Sequence, residues 1–526
     1  MSTFKKILIG VVVLLIFAGI GMVFYAEPVL EKKLREALIG EFTEQTNGRY
    51  AINLDTIHLS IAGRSVSADS ITVSSLKDSA EFKTLTAASI EINAIQWFSL
   101  LDQRFPKFGN VTVLQPEFEV YARPITSATE PAKSKDIKIE GTISTFDVII
   151  ENGSGKIIDQ DGYTQFSIEE LNLSAREVNL NSLLLESNLP YLKDLSISGK
   201  NANYDLDEEL YNFNIGDFAF NKSEQKAIFK NISFTPLVEK YKFAKIKGKQ
   251  VDRFDLSVDE IALNGLNIDS LQVPKLELSS IHISGAELEV FHDKHMDPGP
   301  AIQYKPLLHD ALELPGFSIG IDTIHIRNSE IRYGEHPPGS KAAGYISFNE
   351  LNATLRNIRT PEHPEFDDDS LYLHVITNFM DVSRFEVNLS YATFDENDTH
   401  HLQAYLSPMD GTTLNPMLVN TAFMRIDQGQ INALDLDLTF TDEKATGSLI
   451  LDYDNVQLTH LDKEDNTNTN FKTRLKDFLA NNLILNTSNT GKDLKPVDID
   501  LPRPKDKAIF GYWWRALRSG LQKVMK

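Results

Sequence analysis

The side chains that could carry covalent chemistry are few and poorly placed for it. The chain has no Cys, which removes thiolate nucleophiles, Cys-based zinc sites and disulfides together; it leaves the compartment open, because periplasmic and cytosolic proteins can both lack Cys. No Gly-x-Ser-x-Gly elbow is present. Gly153-Ser154-Gly155-Lys156 carries the letters of a phosphate loop but lacks its spacing and the Ser or Thr after Lys. His292-Asp293-Lys294-His295 offers a metal pair on paper, yet it runs toward Pro298-Gly299-Pro300 and reads as a solvated loop. His58, His282 and His325 each stand between β-branched or Leu neighbours, so alternation puts them on the face opposite the apolar one. Glu91, Glu119, Glu277 and Asp435 read the same way, as a solvated outer face. No set of acid, base and nucleophile can be nominated, so no enzyme, metal or cofactor is expected.

Charge narrows the partners. The formal net charge of −22 makes the body repel nucleic acid and anionic membrane surfaces alike, and nucleic acid is set aside as a partner. With 526 residues, 42% of them hydrophobic, the chain can bury one large core or two, and length alone is compatible with one to four domains.

The elements that would position any site begin with a membrane anchor. Residues 1–6 precede an uncharged run from Ile7 to Ala26, whose length at a rise of about 1.5 Å per residue matches a hydrocarbon layer of about 30 Å. A cleaved signal peptide is the competing reading; Val23-Phe24-Tyr25-Ala26 sets an aromatic pair where small residues are wanted and favours an uncleaved anchor. Lys5 and Lys6 before the span and Lys32, Lys33 and Arg35 after it nearly balance. We expect the short N-terminus in the cytoplasm and the long β body outside. Residues 27–48 carry Val29, Leu30, Leu34, Leu38 and Phe42 at helical spacing, a short amphipathic helix leaving the membrane. From 49 to 462 the chain alternates apolar and polar residues in strand after strand, with few long helices. Residues 463–504 decay into Asn, Thr, Asp and Lys and read as a flexible connector, with room for a helix only at Phe471 to Leu485.

Within the body a loose repeat recurs. Val111-Thr112-Val113-Leu114-Gln115-Pro116-Glu117-Phe118-Glu119-Val120-Tyr121 has the plan of Ile281-His282-Ile283-Ser284-Gly285-Ala286-Glu287-Leu288-Glu289-Val290-Phe291. A third copy runs from Ile324-His325-Ile326 through Asn328 to Ile331-Arg332-Tyr333, and Leu195 to Gly199 opens a possible fourth. Strand, turn residue and strand predict a β-arch or hairpin as the unit. Stacked side by side, such units make one long sheet with a continuous apolar face. The candidate site is that face: Val111, Val113, Phe118 and Val120, then Ile281, Ile283, Leu288 and Val290, with Ile324 and Ile326. These side chains point together unless the intervening turn reverses the register. Either they fill a sandwich core or they line an open groove for acyl chains.

The last segment, 505–526, breaks with the rest. From Arg503 onward there are seven basic residues against Asp506 alone, a net +6 that leaves −28 for the remainder. Phe510, Trp513, Trp514, Leu517, Leu521 and Val524 recur at three- or four-residue spacing, with Arg515, Arg518, Gln522 and Lys526 on another face, which predicts an amphipathic helix. It suits a membrane surface or a partner docked there; the competing reading is a cap on the open end of the β body with its aromatics buried.

Taken together, the chain resembles the AsmA family of bacterial envelope proteins, related to the larger TamB type. The resemblance is most specific where Leu414-Asn415-Pro416 leads to Met424-Arg425-Ile426-Asp427-Gln428-Gly429 and then to Ala445-Thr446-Gly447-Ser448-Leu449-Ile450-Leu451-Asp452-Tyr453; residues 125 to 380 depart from the family pattern. It implies a mainly β protein: an N-terminal transmembrane helix, an elongated repeating β-groove folded like a taco, and a C-terminal amphipathic helix. It also implies an inner-membrane, periplasm-facing protein of outer-membrane biogenesis that binds or conducts membrane phospholipid. An envelope-assembly partner is the alternative, with the β body as a scaffold around a filled core. The body is short for a bridge across the whole periplasm, which leaves shuttling, cooperation with a partner and modulation of envelope assembly as the options.

Overall fold

The computed structural model describes residues 31–525 apart from a few positions between 33 and 62 and the stretches 77–81, 97–106, 122–144, 160–161, 179–191, 207–209, 269–274, 300–303, 313–317, 361–369 and 462–486. The anchor expected at 7–26, the helix expected at 471–485 and two apolar clusters that read as single turns between strands, Trp97 to Leu101 and all but the last residue of Leu183 to Leu192, lie outside the described residues. Within them no helix is long and apolar enough to cross a membrane.

The chain is mainly β and divides into two units, Met1–Leu206 with Phe213–Lys230, and Asp207–Asn212 with Asn231–Lys526. The described residues of the first begin with helical positions between 31 and 42, 33, 37 and 41 excepted (α1), followed by β1 (Tyr50–Asn53), β2 (Thr56–Ser60), β3 (Ser65–Ser75), β4 (Phe82–Asn93), β5 (Asn110–Leu114), β6 (Glu117–Tyr121), β7 (Phe146–Ile158), β8 (Thr164–Val178) and β9 (Asp194–Leu206). The boundary between the units falls within β10 (Tyr211–Asn221) and β11 (Lys226–Pro236). The second unit holds α2 (Lys240–Lys247), β12 (Asp252–Asn264), β13 (Lys275–Asp293), α3 (Leu308–Leu312), β14 (Ser318–His336), β15 (Gly344–Arg359), β16 (Ser370–Phe379) and β17 (Ser383–Ala392). Then come β18 (His400–Leu406), β19 (Met409–Asp410), α4 (Asn415–Thr421), β20 (Met424–Phe440), β21 (Lys444–His460), β22 (Val497–Pro502) and α5 (Ile509–Val524).

The repeated segments are not hairpins. β13 passes through Gly285 without reversing, and the whole of it pairs in parallel with β14, so the second and third copies lie side by side in register: Ile281 opposite Ile324, Ile283 opposite Ile326, Leu288 opposite Ile331. In the first copy β5 and β6 are two halves of one strand, both parallel to β7, parted at Gln115-Pro116 because proline brings no N–H to the ladder. The supposed turn residue is a left-handed residue inside a continuing strand: Gln115, Gly285 and Asn328 have φ of 47°, 62° and 50°, and at Asn328 the register with β15 also shifts as in a bulge.

Those left-handed residues reveal a larger duplication. In the first unit β4 is antiparallel to β5/β6, which is parallel to β7, then antiparallel to β8 and β8 to β9. In the second, β12, β13, β14, β15 and β16 repeat that order of pairing. Left-handed residues fall at matching sites, Asn152 and Asn328, Glu170 and Glu350, Glu177 and Asn357. Even the repair of the ladder is repeated. The Asn152 N–H donates to Asn172 Oδ1 at 2.9 Å while Asn172 Nδ2 donates to the Glu170 carbonyl at 2.8 Å. The Asn328 N–H likewise donates to Asn352 Oδ1 at 3.4 Å and Asn352 Nδ2 to the Glu350 carbonyl at 2.9 Å. A bulge withdraws backbone groups from their cross-strand partners, and a short amide side chain can replace them. This explains why Glu-Leu-Asn stands at both 170–172 and 350–352.

Of the connector expected at 463–504, residues 487–504 are described, and they are not a flexible linker. Asn489 bridges to Tyr453, and Val497-Asp498-Ile499-Asp500-Leu501 pairs with β21 as β22. The alternation of those five residues is a strand pattern, outweighed in the sequence reading by the polar run before it.

Candidate functional site

Cross-strand partners share a face of a sheet, so register traces the apolar face directly. In the second unit one row runs Leu263, Ile281, Ile324, Leu355, Leu373, Leu389, Leu402, Leu438, and the next runs Ile261, Ile283, Ile326, Ala353, Val375, Val387, Ala404, Leu436. Leu288 joins the same face through Ile331, Phe348 and Phe379. Phe348 and Phe379 pack on Phe385, two residues from Val387, with ring centroids 6.1 and 6.3 Å away. The left-handed residue at Gly285 therefore restores the phase that five-residue spacing would lose.

Coverage of this face is uneven. At β20 to β22 it is sealed by α5, whose Tyr512, Ala516 and Val524 are buried against Leu438, Phe440, Leu449 and Ile499. At β12 to β14 the picture differs: Ile281, Ile283, Leu288, Val290, Ile324 and Ile326 are all only half-buried. Helix α2 meets β13 near its end, where Lys240 pairs with Glu289 at 2.5 Å and Tyr241 packs edge-on against Phe291.

The first unit corrects part of the expected groove. Val111 and Val113 occupy the places of Ile281 and Ile283 in the duplicated pairing, yet they are 3% and 7% exposed, inside a core closed by Leu34, Leu38 and Phe42 of α1. Each such large buried side chain contributes about 1.5–3 kcal/mol, which makes this end a filled core. Phe118 and Val120 are half-buried.

The reverse face is polar. A row on it runs His282, His325, Thr354, His374, Asn388, Gln403, Asp437. The His282 and His325 rings stack at 4.9 Å, and desolvation, with His282 and Arg327 adding to it, lowers the His325 pKa below that of an ordinary imidazole. Two concavities, of about 660 and 500 Å³, lie away from the half-buried apolar strip at β12 to β14; the larger, in the first unit, is lined by Ile149, Ala219 and Ile228 together with Asn172, Ser174, Ser196 and Asn221, and the smaller is mainly polar. Gly153 to Lys156 lies in mid-strand within β7, which removes the phosphate-loop reading. The His292 to His295 stretch is less solvated than its composition implies, with Asp293 4% exposed and its Oδ1 2.6 Å from His295 Nδ1. Among the described residues no three His, Asp or Glu side chains are arranged to hold a metal ion.

The C-terminal helix divides differently from the expected faces. Trp513, Leu517 and Leu521 pack toward the sheet as half-buried neighbours of its core, while Phe510 and Trp514 stand 75% and 57% exposed and Arg515 is exposed beside them. Arg518 is half-buried. The latch residues that the sequence reading missed are Tyr512, Ala516 and Gly520, one aromatic and two small residues at four-residue spacing. His400 was missed too. It is sandwiched between Tyr391 and Phe440 at 5.0 and 4.9 Å, its Nδ1 donates to the Asp398 carbonyl at 2.8 Å, and its Nε2 accepts from Trp513 Nε1 at 2.9 Å. Burial pushes its pKa down to about 4. The Leu414-Asn415-Pro416 motif acquires a local meaning: the Asn415 amide bonds both backbone groups of Ile426 at 2.8 Å, standing in for a strand.

Compared with models of known protein families and with curated proteins, the chain matches none.

Proposed function

We propose that the chain is an AsmA-like, inner-membrane-anchored periplasmic protein that holds phospholipid acyl chains on the apolar face of its second unit, without covalent chemistry, in outer-membrane biogenesis. One observation carries the reading. The same module is filled at Val111 and Val113 but leaves Ile281, Ile283, Ile324 and Ile326 partly open to solvent, and an apolar strip of that kind is stabilised by an apolar occupant.

The test is a photo-crosslinking residue at Ile283 or Ile326, with His282 on the polar face and Val113 in the filled core as controls. Phospholipid adducts at the first two positions alone support the reading; equal adducts at all four, or none, refute it. The filled core of the first unit favours a second role there, a scaffold for envelope-assembly proteins. Native mass spectrometry of the detergent-extracted protein separates the two, because a scaffold retains protein partners and no lipid.

A further inference from the structure

We infer that the outward stripe of α5 is a docking surface for an anionic lipid bilayer, used while the inward stripe stays latched to the sheet. The helix carries two apolar faces with different fates. Tyr512, Ala516 and Val524 are buried on the sheet, so core packing explains them. It does not explain Phe510 and Trp514, one turn apart, 75% and 57% exposed, with their neighbour Arg515 also exposed. Two large aromatics held open to water at adjacent turns mark a contact surface, and an indole beside a cationic side chain suits the headgroup layer.

Charge selects the occupant. The helix Ile509–Val524 itself carries Arg515, Arg518 and Lys523 and no acidic residue, +3 in a chain that is otherwise −25; Arg503 and Lys505 are taken up by Asp442 and Lys507 by Asp506, so they are not counted. An anionic surface is therefore attracted to this helix and repelled by the rest of the molecule, which fixes the orientation of docking. The helix needs no refolding to reach it, since Phe510 and Trp514 already face outward. The uncharged run from Ile7 to Ala26 supplies a reason for the protein to be near a bilayer. The inference does not depend on lipid binding by the sheet face.

The experiment uses the full chain reconstituted into vesicles of phosphatidylcholine alone or with phosphatidylglycerol, and reads the emission difference between wild type and Trp514→Phe, which isolates Trp514 from Trp97 and Trp513. In the anionic vesicles this difference emission shifts to the blue, is quenched by brominated acyl chains and loses accessibility to acrylamide; high salt reverses all three. Arg515→Ala weakens the protection about fivefold, the loss expected for one basic residue at such a surface. Phe510→Ser with Trp514→Ser leaves thermal unfolding unchanged, because both side chains are exposed. If Trp514 stays accessible to acrylamide in both vesicle types, the inference is wrong. It is equally wrong if protection needs added envelope proteins and ignores lipid charge, which would make the stripe a protein interface. Crosslinking at Ile283 is unaffected by either outcome, so the two readings fail separately.

Discussion

Replacing His400 by Phe tests how the C-terminal helix is held. The substitution keeps an aromatic ring between Tyr391 and Phe440 but removes the acceptor for Trp513 Nε1–H and the donor to the Asp398 carbonyl. Leaving two buried polar groups unpartnered costs about 1–3 kcal/mol each near neutral pH. Acid reverses the comparison. With a folded pKa of about 4 against 6.5 for an ordinary histidine, the unfolded state binds the proton more tightly, so the stability contributed by neutral His400 is fully present above about pH 6.5 and is lost as the pH falls toward 4. Between about pH 7 and about pH 5 this amounts to roughly 2 kcal/mol, from the linkage of one group with those two pKa values. A protonated Nε2 would also face the Trp513 N–H donor to donor. The assay is urea unfolding of wild type and His400→Phe across that range, with amide exchange over residues 509–524 reporting the helix. The stability gap between the two proteins should shrink by about 2 kcal/mol on acidification, and exchange in the wild-type helix should quicken. A gap that is constant with pH would show that His400 is not held neutral by its surroundings and that the latch lies elsewhere.

Other substitutions probe separate joints. A Cβ on Gly520 would come within 2.8 Å of Ile499 Cδ1 and Leu449 Cδ2, so Gly520→Val should lift α5 from the sheet at a cost of about 1–3 kcal/mol, visible in urea unfolding and in new dye binding to the uncovered face. Gly285→Val forces a β-branched residue into φ of +62° and displaces the exposed Asp259 carboxylate, and should cost about 1–2 kcal/mol by the same measurement. Val113→Ala, in the filled core, should cost about 1–3 kcal/mol, while Ile283→Ala should cost less in the lipid-free protein and instead reduce the phospholipid retained in native mass spectra.

How far the sequence was legible depended on which rule governed each residue. Strict alternation exposed Ile281, Ile283 and their counterparts as one face, and the structure keeps them on one face, because period two is a property of the extended backbone itself. The same rule hid the continuity of β13. A left-handed residue at Gly285 shifts the phase by one, and a pattern reader sees two short strands with a turn between them. Burial was illegible for a different reason. Val113 and Ile283 occupy matching positions in local sequence of the same apolar–polar plan, and what separates them is whether α1 lies over the strand, a fact written some seventy residues upstream of Val113 in Leu34, Leu38 and Phe42. The Tyr512, Ala516 and Gly520 stripe was readable as helix but not as an interface, since small residues contribute little to an amphipathic pattern.

The duplicated five-strand module has a consequence for how such a protein can grow. Adjacent strands lie about 4.8 Å apart, so each copy contributes about 24 Å of apolar floor measured across its strands. Each copy also carries its own phase correction, with its own Asn to mend the ladder where the bulge opens it. An inserted copy would therefore arrive with its apolar side already facing the right way and would ask nothing of its neighbours except a free strand edge. Insertion of a single strand would meet no such guarantee: without a bulge at the matching level, half its length would turn carboxylates like Glu287 and Glu289 toward the apolar side. Length in this architecture is thus quantised in whole modules, and evolution can lengthen the sheet by copying while leaving both terminal helices, and the surfaces they present, untouched.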